Sequence, residues 1–211
     1  DEYKYNRGKV LNKEDLDKIE NFGRYLDVDN DGICYRTYPG THPEKGAFFT
    51  RGTSHDEYAR YTEDGEVNAA TLSRLMKKFR TASELVPEPV IEINGKDSCG
   101  VIFYGSTSPA VHEAKDILKE KEINIDLMQI RSFPFNLDVW EFIANHDRIY
   151  VVEQNRDSQM RTLIMAEGGI SPEILRPLVH FTGDPIQASY IVNKISEREV
   201  NYKSHINAKK R

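Results

Sequence analysis

A chain of 211 residues with 34 acidic against 29 basic side chains and a net charge of −5 can bury one substantial core plus an appendage, or two small cores. That balance argues against a nucleic-acid partner, despite the basic end Lys209, Lys210, Arg211. No apolar run is long enough to span a bilayer and no secretory leader opens the chain, so it reads as soluble and cytoplasmic, with no membrane partner. The two cysteines, Cys34 and Cys99, lack any metal-ligand spacing, which speaks against a cysteine-ligated zinc or iron–sulfur cluster. The start at Asp1, without an initiator methionine, reads as that of a piece of something longer.

Residues 1–88 are polar and form a connecting segment with two helices and a long loop. Leu11, Asn12 and Asp15, followed by Leu16, Ile19 and Phe22, predict a staple, a cap and a short amphipathic helix. An irregular stretch from about 26 to 66 follows, a length that is uncommon unless the loop is functional or wraps another surface. From Asn68 a second helix carries Leu72, Leu75, Met76, Phe79 and Ala82 as an apolar stripe. Val86-Pro87-Glu88-Pro89 closes it as a boundary.

Residues 90–197 alternate strands and helices. VIEI, the turn Asn94-Gly95-Lys96 and the strand CGVIFY predict a hairpin that adds an antiparallel strand. Gly105 ends the strand at 99–104, Ser108 is placed to cap a helix with Pro109 behind it, and Val111, Ala114, Ile117 and Leu118 give that helix an apolar face. INIDLMQI is the next strand, and Leu137, Trp140, Ile143 and Ala144 mark the next helix. RIYVVE is a third core strand, a helix with Met160, Leu163 and Ile164 ends near Gly168-Gly169, and PLVHFT is a short strand. A last helix opens with Asp184 as cap and turns Ala188, Ile191, Val192 and Ile195 inward. The fold class is therefore α/β, a three-layer sandwich on a mostly parallel sheet, and residues 198–211 read as a polar basic tail.

Three groups of residues carry chemical interest. Asp27-Val28-Asp29-Asn30-Asp31-Gly32 matches the first half of a calcium loop, but Tyr38 stands where the closing Glu belongs, so Asp27, Asp29 and Asp31 are weak cation candidates beside the reading as an Asp/Gly-rich turn. Gly105-Ser106-Thr107-Ser108, at a strand-to-helix turn, suits an anion, although the dinucleotide fingerprint is absent and a tight turn explains the residues as well. His55-Asp56-Glu57, between Arg51, Thr53, Ser54 and Arg60, Glu63, Asp64, is either a solvated surface or a polar pocket in which a histidine beside a carboxylate selects a substrate. His112, His146 and His180 fall on or beside regular elements, where a hydrogen-bonded structural role is the default. No serine or cysteine elbow, HExxH or P-loop occurs, and catalytic residues are expected to be absent.

VIFYGSTSPAVHEAKDILKEKEI and LMQIRSFPFNLDVWEFIANHDRIYVVEQNRDSQMRTLI together resemble the domain that follows the pyrimidine-binding domain in thiamine-diphosphate 2-oxoacid:ferredoxin oxidoreductases. They are similar, more loosely, to the transketolase carboxy-terminal domain. The segments Arg131-Ser132-Phe133-Pro134-Phe135 and Val152-Glu153-Gln154-Asn155 carry most of this likeness. DVDNDGICYRTYPGTHPEKGAFFTRGTSHDEYARYTED resembles the connecting region of the alpha subunit, in particular of the 2-oxoglutarate type, and GDPIQASYIVNKI resembles that subunit's end. The resemblance implies conversion of a 2-oxoacid and coenzyme A to acyl-CoA and carbon dioxide, with electrons passed to ferredoxin. It implies that thiamine diphosphate, Mg2+ and the iron–sulfur cluster are held elsewhere, because this chain has no GDG magnesium segment, no cluster cysteines and no YPITPS-like stretch. The partners would be the rest of the alpha subunit and a beta subunit, with ferredoxin as acceptor, and this chain alone would be inactive and structural. His55 and Asp56 would lie nearest the substrate mouth. Two other readings stand beside this one: a free-standing phosphate- or nucleotide-binding module using Gly105 to Ser108, and an interaction protein that kept the fold.

Overall fold

The computed structural model describes residues 5–50, 54–95 and 99–209, with side chains through Tyr202. Arg51, Thr53, Lys96, Lys210 and Arg211 lie outside the described residues. The chain divides into two compact units, Asp1–Leu85 and Val86–Arg211.

In the first unit, Asn12 and Asp15 form a reciprocal capping box that starts helix α1, Lys13–Lys18, whose Leu16 is wholly buried. The helix stops at Lys18, one turn earlier than the apolar spacing predicts, so Ile19 is its cap and Phe22 lies beyond it. Lys45 explains the stop, because its ammonium donates to the Leu16 and Ile19 carbonyls that a longer helix would use itself. Helix α2, Gly65–Ser83, begins three residues before Asn68, with the Asp64 carboxylate accepting from the amides of Glu66 and Val67. Its expected apolar stripe is present but uncovered: Leu72, Leu75, Met76 and Phe79 are all exposed.

The described residues of the long stretch between the helices have little regular structure, and polar ties lay its Asp-rich part onto α2. Gly32, at φ +80°, sits so close to the helix that a Cβ there would lie 2.3 Å from the Lys78 amide nitrogen. Arg74 donates to the Gly32 carbonyl at 3.0 Å and the Thr81 hydroxyl to the Asp31 carbonyl at 2.6 Å.

The second unit is built on a five-stranded sheet of order β1-β3-β2-β4-β5, with β1 Val90–Glu92, β2 Cys99–Tyr104, β3 Ile125–Ile130, β4 Ile149–Glu153 and β5 Leu175–Val179. All neighbours are parallel except β1, which runs antiparallel to β3. The antiparallel strand was expected; its pairing in a hairpin with β2 is corrected. Both edges of β2 are already taken by β3 and β4, and Asn94 pins the chain after β1 onto β3 through its amide to Asp126 Oδ1 and its side chain to the Ile125 carbonyl, both at 2.7 Å.

Successive side chains of β2 point to opposite faces, and each face has its own helices. Val101 and Phe103 pack with Val111, Ala114 and Leu118 of α3, Ser108–Glu120, and with Ile191, Val192 and Ile195 of α6, Ala188–Lys209. Ile102 packs on the other side with α4, Leu137–Ala144, and α5, Gln159–Gly168. Helix α4 is rotated from the expected stripe: Val139, Phe142 and Ile143 are buried, whereas Leu137 is 75% exposed and Ala144 faces out. Trp140 instead meets the edge of Phe135 at 5.6 Å and lies against Gly168, where a Cβ would come within 2.4 Å of its ring. His146 bridges the Phe142 carbonyl at 2.7 Å and the Asp126 carboxylate at 3.2 Å, a structural role as expected.

Helix α6 differs from expectation at both ends. It starts at Ala188 rather than at the Asp184 cap, and it continues to Lys209 through the segment read as a tail. Past residue 198 the helix stays on the sheet through Glu199, 2% exposed, which receives Arg148 at 3.0 Å and the Tyr150 hydroxyl at 2.8 Å. Arg148 also stacks on Tyr202, 4.2 Å from the ring centre. Removing one member of a buried ion pair leaves the other charge unpaired, at a cost of about 3 kcal/mol or more. Glu199→Ala is therefore expected to lower the denaturant-unfolding free energy by about that amount, and a variant as stable as the parent would show that the pair does not hold α6 to the sheet.

Candidate functional site

The three sequence candidates fall in three different settings. At the Asp-rich turn, Asp27 Oδ1 accepts from the amides of Asp31 at 3.0 Å and Gly32 at 2.9 Å, which shapes the loop. Asp29 and Asp31 both receive the Lys9 ammonium, each at 2.7 Å, and Lys9 also donates to the Ile33 carbonyl. A lysine cation thus bridges two of the three carboxylates proposed as ligands. Its hydrogen bonds are the first cause that holds Asp29 and Asp31 below the ordinary carboxylate range, and they raise Lys9 in turn.

At the carboxyl ends of β2 and β4 the chain departs to opposite sides of the sheet, the arrangement that opens a crevice in doubly wound folds. Gly105 enters a 3-10 turn over Gly105–Thr107 at φ +58°, and Ser108, expected as the cap of α3, is already within the helix. The crevice's polar groups bind one another. Gln154 donates to the hydroxyls of Ser106 and Thr107, both at 3.2 Å, and accepts from the Ile186 amide at 3.3 Å. Glu153, wholly buried, accepts from the Met160 and Arg161 amides and from the Asn155 side chain, so its carboxylate occupies the N-terminus of α5. An incoming phosphate at Gly105 to Ser108 would have to displace Gln154.

The third setting is a cleft of about 580 Å3 in the first unit, lined among others by Tyr25, Asp56, Tyr58, Arg74 and Lys77. Its floor is the face of α2 where Val67, Ala70, Thr71, Arg74 and Lys77 recur at helical spacing. That spacing is the signal by which sequence reasoning, occupied with the opposite apolar stripe, could have found Arg74 and Lys77. The wall is the His55 loop, anchored by the Thr71 hydroxyl on the His55 carbonyl at 3.3 Å. Asp56 Oδ1 accepts from the amides of Tyr58 and Arg60, both at 2.9 Å, closing a tight turn that carries Ala59 at φ +67°. Asp56 lines the cleft, whereas His55 does not: its ring is stacked on Tyr25 at 3.9 Å, and Nδ1 lies 3.1 Å from the Asp56 carbonyl. Lys77 is tied to Asp27 and Asn30, so Arg74 is the cation held by a backbone carbonyl alone, that of Gly32.

The residues here do not fit a resident cluster or metal. No group of three His, Cys, Asp or Glu side chains able to hold an ion occurs among the described residues. Cys34 and Cys99 stand in different units and cannot supply four thiolates, and burial pushes the Cys99 thiol up to about 12, away from the thiolate. No described helix is long and apolar enough to cross a membrane.

Comparison with known proteins places the chain beside one kind of enzyme subunit. It is 27% identical over 195 residues to 2-oxoacid:ferredoxin oxidoreductase 2, subunit alpha, of Aeropyrum pernix, a match covering 90% of this chain and 28% of that protein. Against the 2-oxoacid:ferredoxin oxidoreductase subunit alpha of Saccharolobus solfataricus it is 26% identical, covering 79% of this chain and 26% of that one. The chain therefore spans little more than a quarter of the length of these relatives. A solved structure of 2-oxoglutarate:ferredoxin oxidoreductase from Magnetococcus marinus, with 2-oxoglutarate, coenzyme A and succinyl-CoA bound, superposes over 86% of this chain with a TM-score of 0.74 at 22% identity, which establishes the fold. No family model matches. The resemblance to the alpha subunits is thus borne out in sequence and in fold.

The Lys9 pairing predicts a pH dependence. Asp29 and Asp31 titrate lower in the folded chain than the ordinary value of 3.8, so their stabilisation is complete above that value and is lost as pH falls through the depressed values. Unfolding followed at several pH values should show Lys9→Gln less stable than the parent at pH 7, with the difference vanishing in acid; a difference independent of pH would place the Lys9 contribution outside this pairing.

Proposed function

We propose that this chain is the carboxy-terminal part of the alpha subunit of a thiamine-diphosphate-dependent 2-oxoacid:ferredoxin oxidoreductase of the 2-oxoglutarate type. The observation that carries the reading is the sequence relationship extending over 90% of the chain, through the polar first unit as well as the α/β unit. In such a complex a 2-oxoacid and coenzyme A become acyl-CoA and carbon dioxide, and two electrons pass to ferredoxin. Thiamine diphosphate, when bound, supplies the carbanion that makes the decarboxylation feasible. The thiamine, Mg2+ and iron–sulfur sites belong to the rest of the alpha subunit and to a beta subunit. Within the complex, which we place in the cytoplasm, this chain is structural and interface-forming: the sandwich is a rigid block, and the first unit brings the Asp56 cleft towards the substrate.

The charges that line this cleft, Asp27, Asp56 and Glu57 against Arg74 and Lys77, suit discrimination among 2-oxoacids by charge. Arg74 offers a cation on one side, where Lys77 is tied to Asp27 and Asn30, and Asp56, whose Oδ1 closes its turn, brings a negative charge to the other. His55, stacked behind Tyr25, positions this wall.

The test is to co-express the full-length gene with its partner subunit and assay 2-oxoacid- and coenzyme A-dependent reduction of ferredoxin, with and without the region of residues 1–211. Activity should require the region; activity that survives its deletion would overturn the assignment. In the intact complex, Asp56→Asn keeps an oxygen for the turn and removes the charge, and it is expected to change the ratio of kcat/KM between 2-oxoglutarate and pyruvate by about tenfold. Unchanged ratios across several oxoacids would remove Asp56 and the His55 loop from substrate selection.

A further inference from the structure

A second cleft of the first unit, about 350 Å3, is lined by Arg7, Lys9, Arg24, Arg36, Arg74 and Lys78 without a single carboxylate. In a chain of net charge −5 this concentration of cations is not a matter of composition. Lys9 is committed to Asp29 and Asp31. Among the described residues none of the other five forms an ion pair.

The guanidinium groups are nonetheless fixed. Arg74 donates to the Gly32 carbonyl at 3.0 Å and Arg36 to the Arg7 carbonyl at 2.6 Å. Arg24 lies over the rings of Tyr25, at 5.4 Å, and Phe48, at 5.1 Å. Each carries five N–H donors, so these contacts hold the planes and leave donors over. Arg24 shows the surplus most clearly: its Nε is buried with no hydrogen-bond partner, and its Nη1 has only a 3.5 Å approach to the Tyr35 carbonyl. A buried donor left unmade is costly, and so is a ring of like charges. An anion in the cleft relieves the second directly.

We propose that this cleft is a binding site for a compact phosphate-bearing polyanion, of the size of pyrophosphate or a nucleotide diphosphate. Planar guanidinium forks held in advance match phosphate oxygens two at a time, and Lys78 adds a point charge at the rim. The apolar side of Leu75 and the ring of Tyr25, which also line the cleft, accommodate the body of a larger ligand. The cleft shares Arg74 and Tyr25 with the Asp56 cleft, and it is separate from the Gly105 turn, where the sequence suggested an anion and where Gln154 takes the hydroxyls.

The experiment is calorimetric titration of the full-length subunit with inorganic pyrophosphate, inorganic phosphate, ADP and a poly-glutamate peptide. Pyrophosphate should bind saturably at one site, more tightly than phosphate, with affinity falling as salt rises; ADP binding at least as tightly as pyrophosphate would identify a nucleotide source, and weaker ADP binding an inorganic one. Lys78→Gln, an exposed change, and Arg24→Gln should each weaken binding by about tenfold, while Lys13→Gln, elsewhere on the unit, should leave it unchanged. Absence of saturable binding, equal affinity in Lys78→Gln and the parent, or preference for the peptide over pyrophosphate would each overturn the proposal.

Discussion

A parallel sheet must be covered on both faces, and that requirement organises the second unit. Every residue of β2 from Cys99 to Phe103 is buried, so consecutive side chains must find apolar partners on opposite sides. Val101 and Phe103 draw α3 and α6 to one face, and Ile102 draws α4 and α5 to the other. Gly100 shows how close the layers come: a Cβ there would stand 3.0 Å from both Phe142 and Ile149. The charged groups buried in these layers include closed sets, such as Glu199 with Arg148 and Tyr150, or His146 with Asp126.

The first unit is held differently. Leu16 is one of its few fully buried apolar side chains, and its order comes from charged and backbone groups in pairs. The Asp27 to Asp31 loop, which imitates half of a cation site, takes a lysine in place of the ion. The Asp56 turn satisfies itself through its own amides. Such a segment has little apolar surface with which to fix its shape, and charged side chains stand along both the Asp56 cleft and the Arg24 cleft. The relation to the oxidoreductase alpha subunits extends through this unit as well.

The sandwich was largely legible. Periodicity placed the three core strands, and Val111, Ala114 and Leu118 and the inward residues of α6 are buried as read. Where the reading failed, a tertiary contact overrode a local signal. The Asn94 turn implied a hairpin, but β2 had no free edge, and Asp126 captured the strand for β3. The basic composition after residue 198 implied a tail, whereas the helix runs on to Lys209 and a buried acid, Glu199, ties its continuation to the sheet. The second helix was expected from Asn68, and the Asp64 cap starts it at Gly65. In the polar unit the sequence showed which loop to watch but not its geometry: that His55 faces Tyr25 while Asp56 faces the cleft depends on the Asp56 turn, and that Arg74 and Lys77 join it depends on how the loop lies across α2.

The ties between that loop and α2 have a consequence for how order arises. Asp27, Asn30, Asp31 and Gly32 are joined to Arg74, Lys77 and Thr81 across 42 to 50 residues of chain. Bonds that span such a distance form only after the intervening segment has been confined, and they repay its loss of freedom together rather than one at a time. The Asp27 and Asp56 turns can close on their own short-range bonds, but the Asp56 cleft, which has α2 for its floor, exists only once the loop has been laid across that helix, so it is among the last features of the unit to take shape.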